Sequence, residues 1–158
     1  MNAIDRLTAI EDIRQLKARY FRCMDTKDWS GLADVFAPDA VFDLRTVDRI
    51  GQPLEGEPDP HPGADPAVHD GRDAILAMIR AALDGLVSVH HGHMPEITIC
   101  SETTATAIWA MEDVIRDPSG TSPFRLHGRG HYHDSYERLD RGWVIKRTAI
   151  TRLLHDTD

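Results

Sequence analysis

Histidine is concentrated in two short stretches of this chain: His90, His91 and His93 in VHHGH, and His127, His131 and His133 in LHGRGHYH. An imidazole titrates near neutrality, so it can take a proton from carbon, return one, or ligate a metal. Both stretches have strand character, and three roles compete for them. The rings are surface or core histidines satisfied by their neighbours; or His131 and His133, which share a strand face, hold a metal with Glu137 further along; or one ring is a general base. The histidine groups lack a complete ligand set of one kind, so no metal is expected. The candidate base is His90, and its neighbour His91 points to the other face of the strand.

A histidine base needs a partner for its second ring nitrogen and a proton donor opposite. Tyr20, Asp25 and Asp113 are the polar residues whose positions fit. Trp109, Met111 and Asp113 alternate along a predicted strand and share one face. An unpaired carboxylate there is costly, and His90 on the adjacent antiparallel strand is its natural partner. The alternative is that Glu112-Asp113 opens a polar turn. Tyr20 and Asp25 lie about 140° apart on an ideal helix, so they share a site only if the helix ends near Met24 and the chain bends through Asp25-Thr26-Lys27-Asp28. Otherwise Tyr20 is a core tyrosine bonded to backbone, and Asp25 a turn aspartate.

The elements that must position these groups emerge from periodicity. Thr8 and Glu11 have capping-box spacing, and Ile10, Ile13, Leu16 or Lys17, Tyr20 and Met24 fall on one face of the helix they would open. WSGLADVF predicts a short second helix ended by Pro38, and residues 40–47 read as a strand. Residues 51–71 hold five prolines and read as an irregular surface excursion, with Asp70 available to cap a third helix. That helix carries Ile75, Ile79 and Leu83 on one stripe. Beyond Gly85 the period changes, and VSVHHGHMPEITIC, TTATAIWAMEDVI, FRLHGRGHYHDSYERL and GWVIKRTAITRLL predict consecutive antiparallel strands. The fold class is α+β: one domain over 1–158, its curved sheet folded around the apolar faces of the N-terminal helices.

Composition narrows the partners. The net charge of -8 disfavours nucleic acid and anionic membranes. MNAIDRLTAIEDIRQ has neither a basic start nor a continuous apolar run, and no 18-residue apolar stretch occurs beyond it, so a cytoplasmic protein is expected. Cys23 and Cys100 fit two free thiols. A Gly-rich phosphate cradle, HExxH and a nucleophile elbow are all missing, which argues against nucleotides, metalloprotease chemistry and acyl-enzyme routes.

The blocks LKARYFRCMDTKDWSGLADVFAPDAVFD, VHHGHMPEI, TATAIWAMEDV and LHGRGHYHDSYERLDRGWVI resemble the SnoaL-like branch of the nuclear-transport-factor-2-like superfamily, over nearly all the chain. The resemblance implies a cone-like curved mixed sheet enclosing an apolar pocket. It also implies a dehydratase-like lyase, independent of any cofactor, acting on a small cyclic or polycyclic hydrophobic molecule. Tyr20, Asp25, His90 and Asp113 match the site positions of the dehydratase members, and Trp109, Met111, Phe42, His91, His131 and His133 are candidate pocket residues. The match implies an elimination in which His90 Nε2 removes the proton, Asp113 or Asp25 holds the imidazole, and Tyr20 donates to the developing oxyanion or leaving hydroxyl, with His131 or His133 as an alternative proton donor. An isomerase, a polyketide cyclase, a non-catalytic binder and an oxygenase small subunit are the alternatives within the superfamily. Self-association as a symmetric dimer through the outer sheet face is expected. Met94 stands where the family usually has Asn, and the 51–71 excursion is longer than a minimal member needs.

Overall fold

The computed structural model describes residues 1–52, 65–119 and 125–157. Helix α1 spans Ala3–Asp25 and starts well before the Thr8–Glu11 spacing predicts. Its capping box is Asn2 with Asp5. The Asn2 side chain accepts from the Asp5 N–H at 2.9 Å, and the Asp5 carboxylate accepts from the Asn2 N–H at 3.3 Å. Thr8 and Glu11 therefore stand inside the helix. Ala9, Ile13, Leu16, Lys17, Tyr20 and Met24 form the buried stripe. The helix closes with the Lys27 N–H on the Met24 carbonyl and the Asp28 N–H on the Cys23 carbonyl. The chain bends at DTKD as expected, and Asp28 caps helix α2 (Trp29–Asp34) through the Gly31 N–H.

Strand β1 spans Phe36–Asp43, earlier than the predicted 40–47, and α2 ends before Pro38 rather than at it. Pro38 falls between Phe36 and Val41, where β1 leaves the register of its neighbour, so the missing N–H costs no ladder bond. The 51–71 segment is also less irregular than predicted. Strand β2 (Val68–Asp70) pairs antiparallel with β1 there, while residues 53–64 lie outside the described residues. Asp70 is part of β2, and Gly71 occupies the cap position of α3 (Arg72–Leu83) with no side-chain cap. Ile75, Ile79 and Leu83 are buried as predicted.

Strands β3 (Val87–Ile99), β4 (Thr104–Arg116), β5 (Arg125–Leu139) and β6 (Gly142–Thr157) are consecutive antiparallel neighbours. The sheet order is β2-β1-β6-β5-β4-β3, and β1 runs parallel to β6, so the sheet is mixed and the α+β class stands. Odd positions of β4 from Ala105 to Asp113 and even positions of β5 from Gly128 to Tyr136 are buried on the helix-covered face. In β3 the parity changes midway. Gly92 faces Met111 and Pro95 faces Trp109, so one extra residue bulges between them. Ser88 and His90 are buried before the bulge, Ile99 after it. Gly92 is required at this point, because a Cβ there would lie 2.5 Å from the Phe21 ring of α1. No helix among the described residues is long and apolar enough to cross a membrane. Cys23 is buried and Cys100 exposed, both as free thiols.

Candidate functional site

The bend that ends α1 and the first half of β3 bring Asp25 and His90 together. His90 Nδ1 lies 2.6 Å from Asp25 Oδ1, and the His90 backbone N–H donates to Oδ2 at 2.8 Å. One carboxylate thus grips both the ring and the main chain of the same residue. Ser88, two residues earlier on the same face, donates to Oδ1 at 3.0 Å. Burial by itself would raise the Asp25 pKa, but the His90 ring, the His90 N–H and Ser88 outweigh it and hold the carboxyl below its ordinary range. A carboxylate acceptor at Nδ1 fixes that nitrogen as the N–H, so in the neutral ring Nε2 carries the lone pair. Nε2 has no hydrogen-bond partner among the described residues, and a lone pair so placed can accept a proton from a substrate. The His90 side chain is 5% exposed and that of Asp25 21%, so the pair sits at the edge of the interior with its carboxylate toward solvent.

Asp113 is opposite His90 in the strand register, on the predicted face, but its carboxylate goes elsewhere. Arg152 of β6 forks onto it, with Nη1–Oδ1 and Nη2–Oδ2 both 2.7 Å, and also touches Met111 Sδ at 3.4 Å. Of the two carboxylates weighed for His90, Asp25 is therefore the one that holds its ring. Room for the fork comes from Gly128, which faces Asp113 in the register; a Cβ there would collide with the Arg152 guanidinium and the Asp113 carboxylate. Sequence reasoning passed over Arg152. It lies beyond a register shift between Arg129 and Gly130 that simple alternation does not foresee.

Tyr20 is fully buried in a cluster of rings, with centroids of Phe21, Phe36 and Tyr132 at 5.4, 5.9 and 5.9 Å. Burial first, and the Asp134 charge next, raise its pKa, with smaller pushes from Asp113 and Asp25, so its phenol remains a proton donor. Beneath it lies a buried ion pair that the sequence reading did not single out. Lys17 Nζ meets Asp134 Oδ2 at 2.8 Å, and both side chains are 0% exposed. The ammonium sits 3.8 Å from the Tyr132 ring centroid and 4.4 Å from that of Tyr20. Tyr136 donates to Asp134 at 2.6 Å, and Trp109 Nε1–H donates to Tyr136 at 2.9 Å. A lysine within the stripe Ile13, Tyr20, Met24 was the available signal, because a cation on a buried face requires an acid opposite. Trp109, Met111 and Phe42 all belong to the core.

The remaining histidines are not assembled with the pair. His91 is exposed on the outer face of β3, and His131 and His133 alternate with the inward Tyr132 and Asp134, so they too face outward. Their expected place in the pocket wall is thereby corrected by strand parity, and Arg152, Lys17 and Asp134 occupy the inner face instead. His133 Nε2 is 2.9 Å from Thr151 Oγ1, and burial, then neighbouring His131, lower its pKa. Among the described residues no three His, Cys, Asp or Glu side chains form a metal-ligating group. Surface cavities of about 220 and 350 Å³ lie at the start of α1 and at the outer end of β4 and β5, and neither is lined by Tyr20, Asp25, His90 or Asp113.

A family model described as the SnoaL-like domain matches residues 5–149. Among solved structures, a hexachlorocyclohexane dehydrochlorinase (LinA) type 2 superposes with a TM-score of 0.77 at 15% identity, over 99% of this chain and 93% of that one. A scytalone dehydratase candidate from Novosphingobium aromaticivorans DSM 12444 gives 0.77 at 19% identity over 99% and 92%. An aromatic ring hydroxylase candidate from Novosphingobium aromaticivorans gives 0.77 at 19% over 96% and 94%. At these identities the likeness is one of fold.

Proposed function

This chain belongs to the SnoaL-like domain family, and from that premise we propose that it is a cofactor-independent lyase eliminating water or another leaving group from a small cyclic or polycyclic apolar substrate. The observation that carries the proposal is the Asp25–His90 pair, which pins the imidazole tautomer and leaves Nε2 as a base. Nε2 removes a proton from a carbon acidified by a carbonyl or flanked by a leaving group. Asp25 stabilises the imidazolium that forms, without itself taking the proton. Tyr20, kept protonated by burial, donates toward the oxyanion or departing hydroxyl. Asp113, its charge balanced by Arg152, serves as a polar wall beside the base rather than as its partner. Trp109, Met111 and Phe42 supply apolar lining. Water-poor surroundings strengthen each hydrogen bond to developing charge. Isomerisation or ring closure would use the same base with a different fate for the carbanion.

The test is a native mass-spectrometric screen against hydroxysteroids, aromatic polyketides and terpenoid alcohols, followed by product analysis of each binder. Loss of water, or of another leaving group, from a bound compound is the expected result. Ligands that bind and are never converted favour a second role, a non-catalytic binder or oxygenase small subunit. The packed rings around Tyr20 and the apolar outer sheet face speak for that role.

The outer face also carries a prediction. Val87, Val89, Ile108, Val114 and Leu154 are exposed there, on one side of a sheet whose other side is covered. A symmetric dimer burying this face is expected, so light scattering at micromolar concentration should give about twice the chain mass of 17.7 kDa. A mass near the monomer's would refute it.

A further inference from the structure

Lys27 is the one non-glycine residue with positive φ among the described residues, at +60°. It occupies the C′ position of α1, where the Lys27 and Asp28 N–H groups close back on Met24 and Cys23. That position ordinarily takes glycine, because a side chain in left-handed backbone crowds the following carbonyl. A lysine here needs a reason beyond ending the helix, and its ammonium provides one. Lys27 Nζ donates to Ser88 Oγ at 2.8 Å. With one lone pair occupied by that donor, the Ser88 hydroxyl directs its own proton to Asp25 Oδ1 at 3.0 Å, the oxygen that receives His90 Nδ1.

We infer that Lys27 is a positioning residue, retained in strained backbone because its charge, through Ser88, orients the Asp25 carboxylate and hence the His90 ring. The inference rests on the assignment of His90 as the base, and deepens it. The chain of contacts runs ammonium, hydroxyl, carboxylate, imidazole, and its first member comes from the turn and not from the helix or the sheet. Ser88 is buried, so its hydroxyl has few alternatives to these two partners. The charged groups around the His90 ring are Asp25 from α1, Lys27 from the turn, and the Asp113–Arg152 pair from β4 and β6. Removing the Lys27 cation frees the Ser88 hydroxyl to turn, and the Asp25 carboxylate loses the contact that aims Oδ1 at the His90 ring.

Two substitutions separate backbone from charge. Lys27→Gly relieves the positive φ and removes the ammonium, whereas Lys27→Met keeps the strain and the aliphatic stem. The readout is the His90 ring resonances in nitrogen-edited NMR of the intact protein, assigned by their loss in His90→Ala, beside the melting temperature. Both variants should displace the His90 Nδ1 proton resonance, and Lys27→Gly should melt no lower than the parent, or up to about 2–4 °C higher. Where a substrate is in hand, turnover should fall by about tenfold in both, the order of loss expected when a reacting group is misplaced. Unchanged His90 resonances in both variants would overturn the inference, as would a Lys27→Gly protein that melts lower with its His90 signals intact, since Lys27 would then be a structural cap. The NMR needs no substrate, so failure to find any elimination would count against the lyase proposal and leave the Lys27 result standing.

Discussion

Replacing His90 by alanine should lower turnover of a converted substrate by about 10²–10⁴-fold while the protein stays folded. Asp25 does not become an orphan in that variant. It keeps the backbone N–H of residue 90 and the Ser88 hydroxyl, two of the three hydrogen bonds it makes in the parent. The expected change in melting temperature is therefore small beside the change in rate. Asp25→Asn gives a sharper form of the same experiment. An amide in place of the carboxylate can donate to Nδ1, which moves the ring proton to Nε2 and removes the base without altering its shape, at a cost of up to about 10⁴-fold. Equal kcat/KM for parent and both variants, measured on the same substrate at the same pH, would end the case for His90 as base. The pair also has a signature in acid. Because the folded-state pKa of Asp25 is depressed, its contribution to stability is complete above its unfolded value, near 4, and is lost as pH falls through the folded value.

The largest loss of stability is expected from Lys17→Ala. The variant leaves Asp134 fully buried with Tyr136 as its remaining donor and takes the cation from the Tyr132 and Tyr20 ring faces. Breaking one side of a buried pair costs about 3–5 kcal/mol, against about 0.5–3 kcal/mol for most single substitutions. In a chain of this size that is a fall in melting temperature on the order of 10 °C. Burial pulls the Lys17 pKa down, and the charge and hydrogen bond of Asp134 offset part of that pull. Removing both charges should hurt less than removing one. Lys17→Met with Asp134→Asn keeps an acceptor for Tyr136 and should recover most of the loss in urea denaturation. A double variant no more stable than Lys17→Ala alone would show that the pair's worth is not the avoidance of an unpaired charge.

Much of this arrangement is legible in the sequence, and the reasons for the rest are specific. Alternation fixes the inward face of β4, so Trp109, Met111 and Asp113 are placed by the simplest rule available. The polar DTKD stretch announces the bend that carries Asp25 to the sheet. What alternation cannot supply is the choice among partners. Asp113 sits opposite His90 as expected, yet an arginine from β6, nearly forty residues later in the chain, takes its carboxylate. The start of α1 is ambiguous in the sequence because Asn2 with Asp5 and Thr8 with Glu11 offer the same local chemistry, and the helix begins at the earlier pair. Strand β2 is three residues long and lies at the end of a proline-rich segment, where composition masks so short a pairing.

The bulge between Gly92 and Pro95 follows His90, the histidine of VHHGH that meets Asp25. Ahead of it even-numbered residues turn inward, and behind it odd-numbered ones do, so the strand carries two phases joined at one irregular step. Loss of a single residue there, such as Met94, would straighten the strand without disturbing either phase. His93 would then stand alone opposite Ala110, while Gly92 kept Met111 and Pro95 kept Trp109 as partners. His90 would still meet Asp25, and Ile99 would still reach the core. The bulge is thus a spare residue, and a lineage could shed it without moving the base.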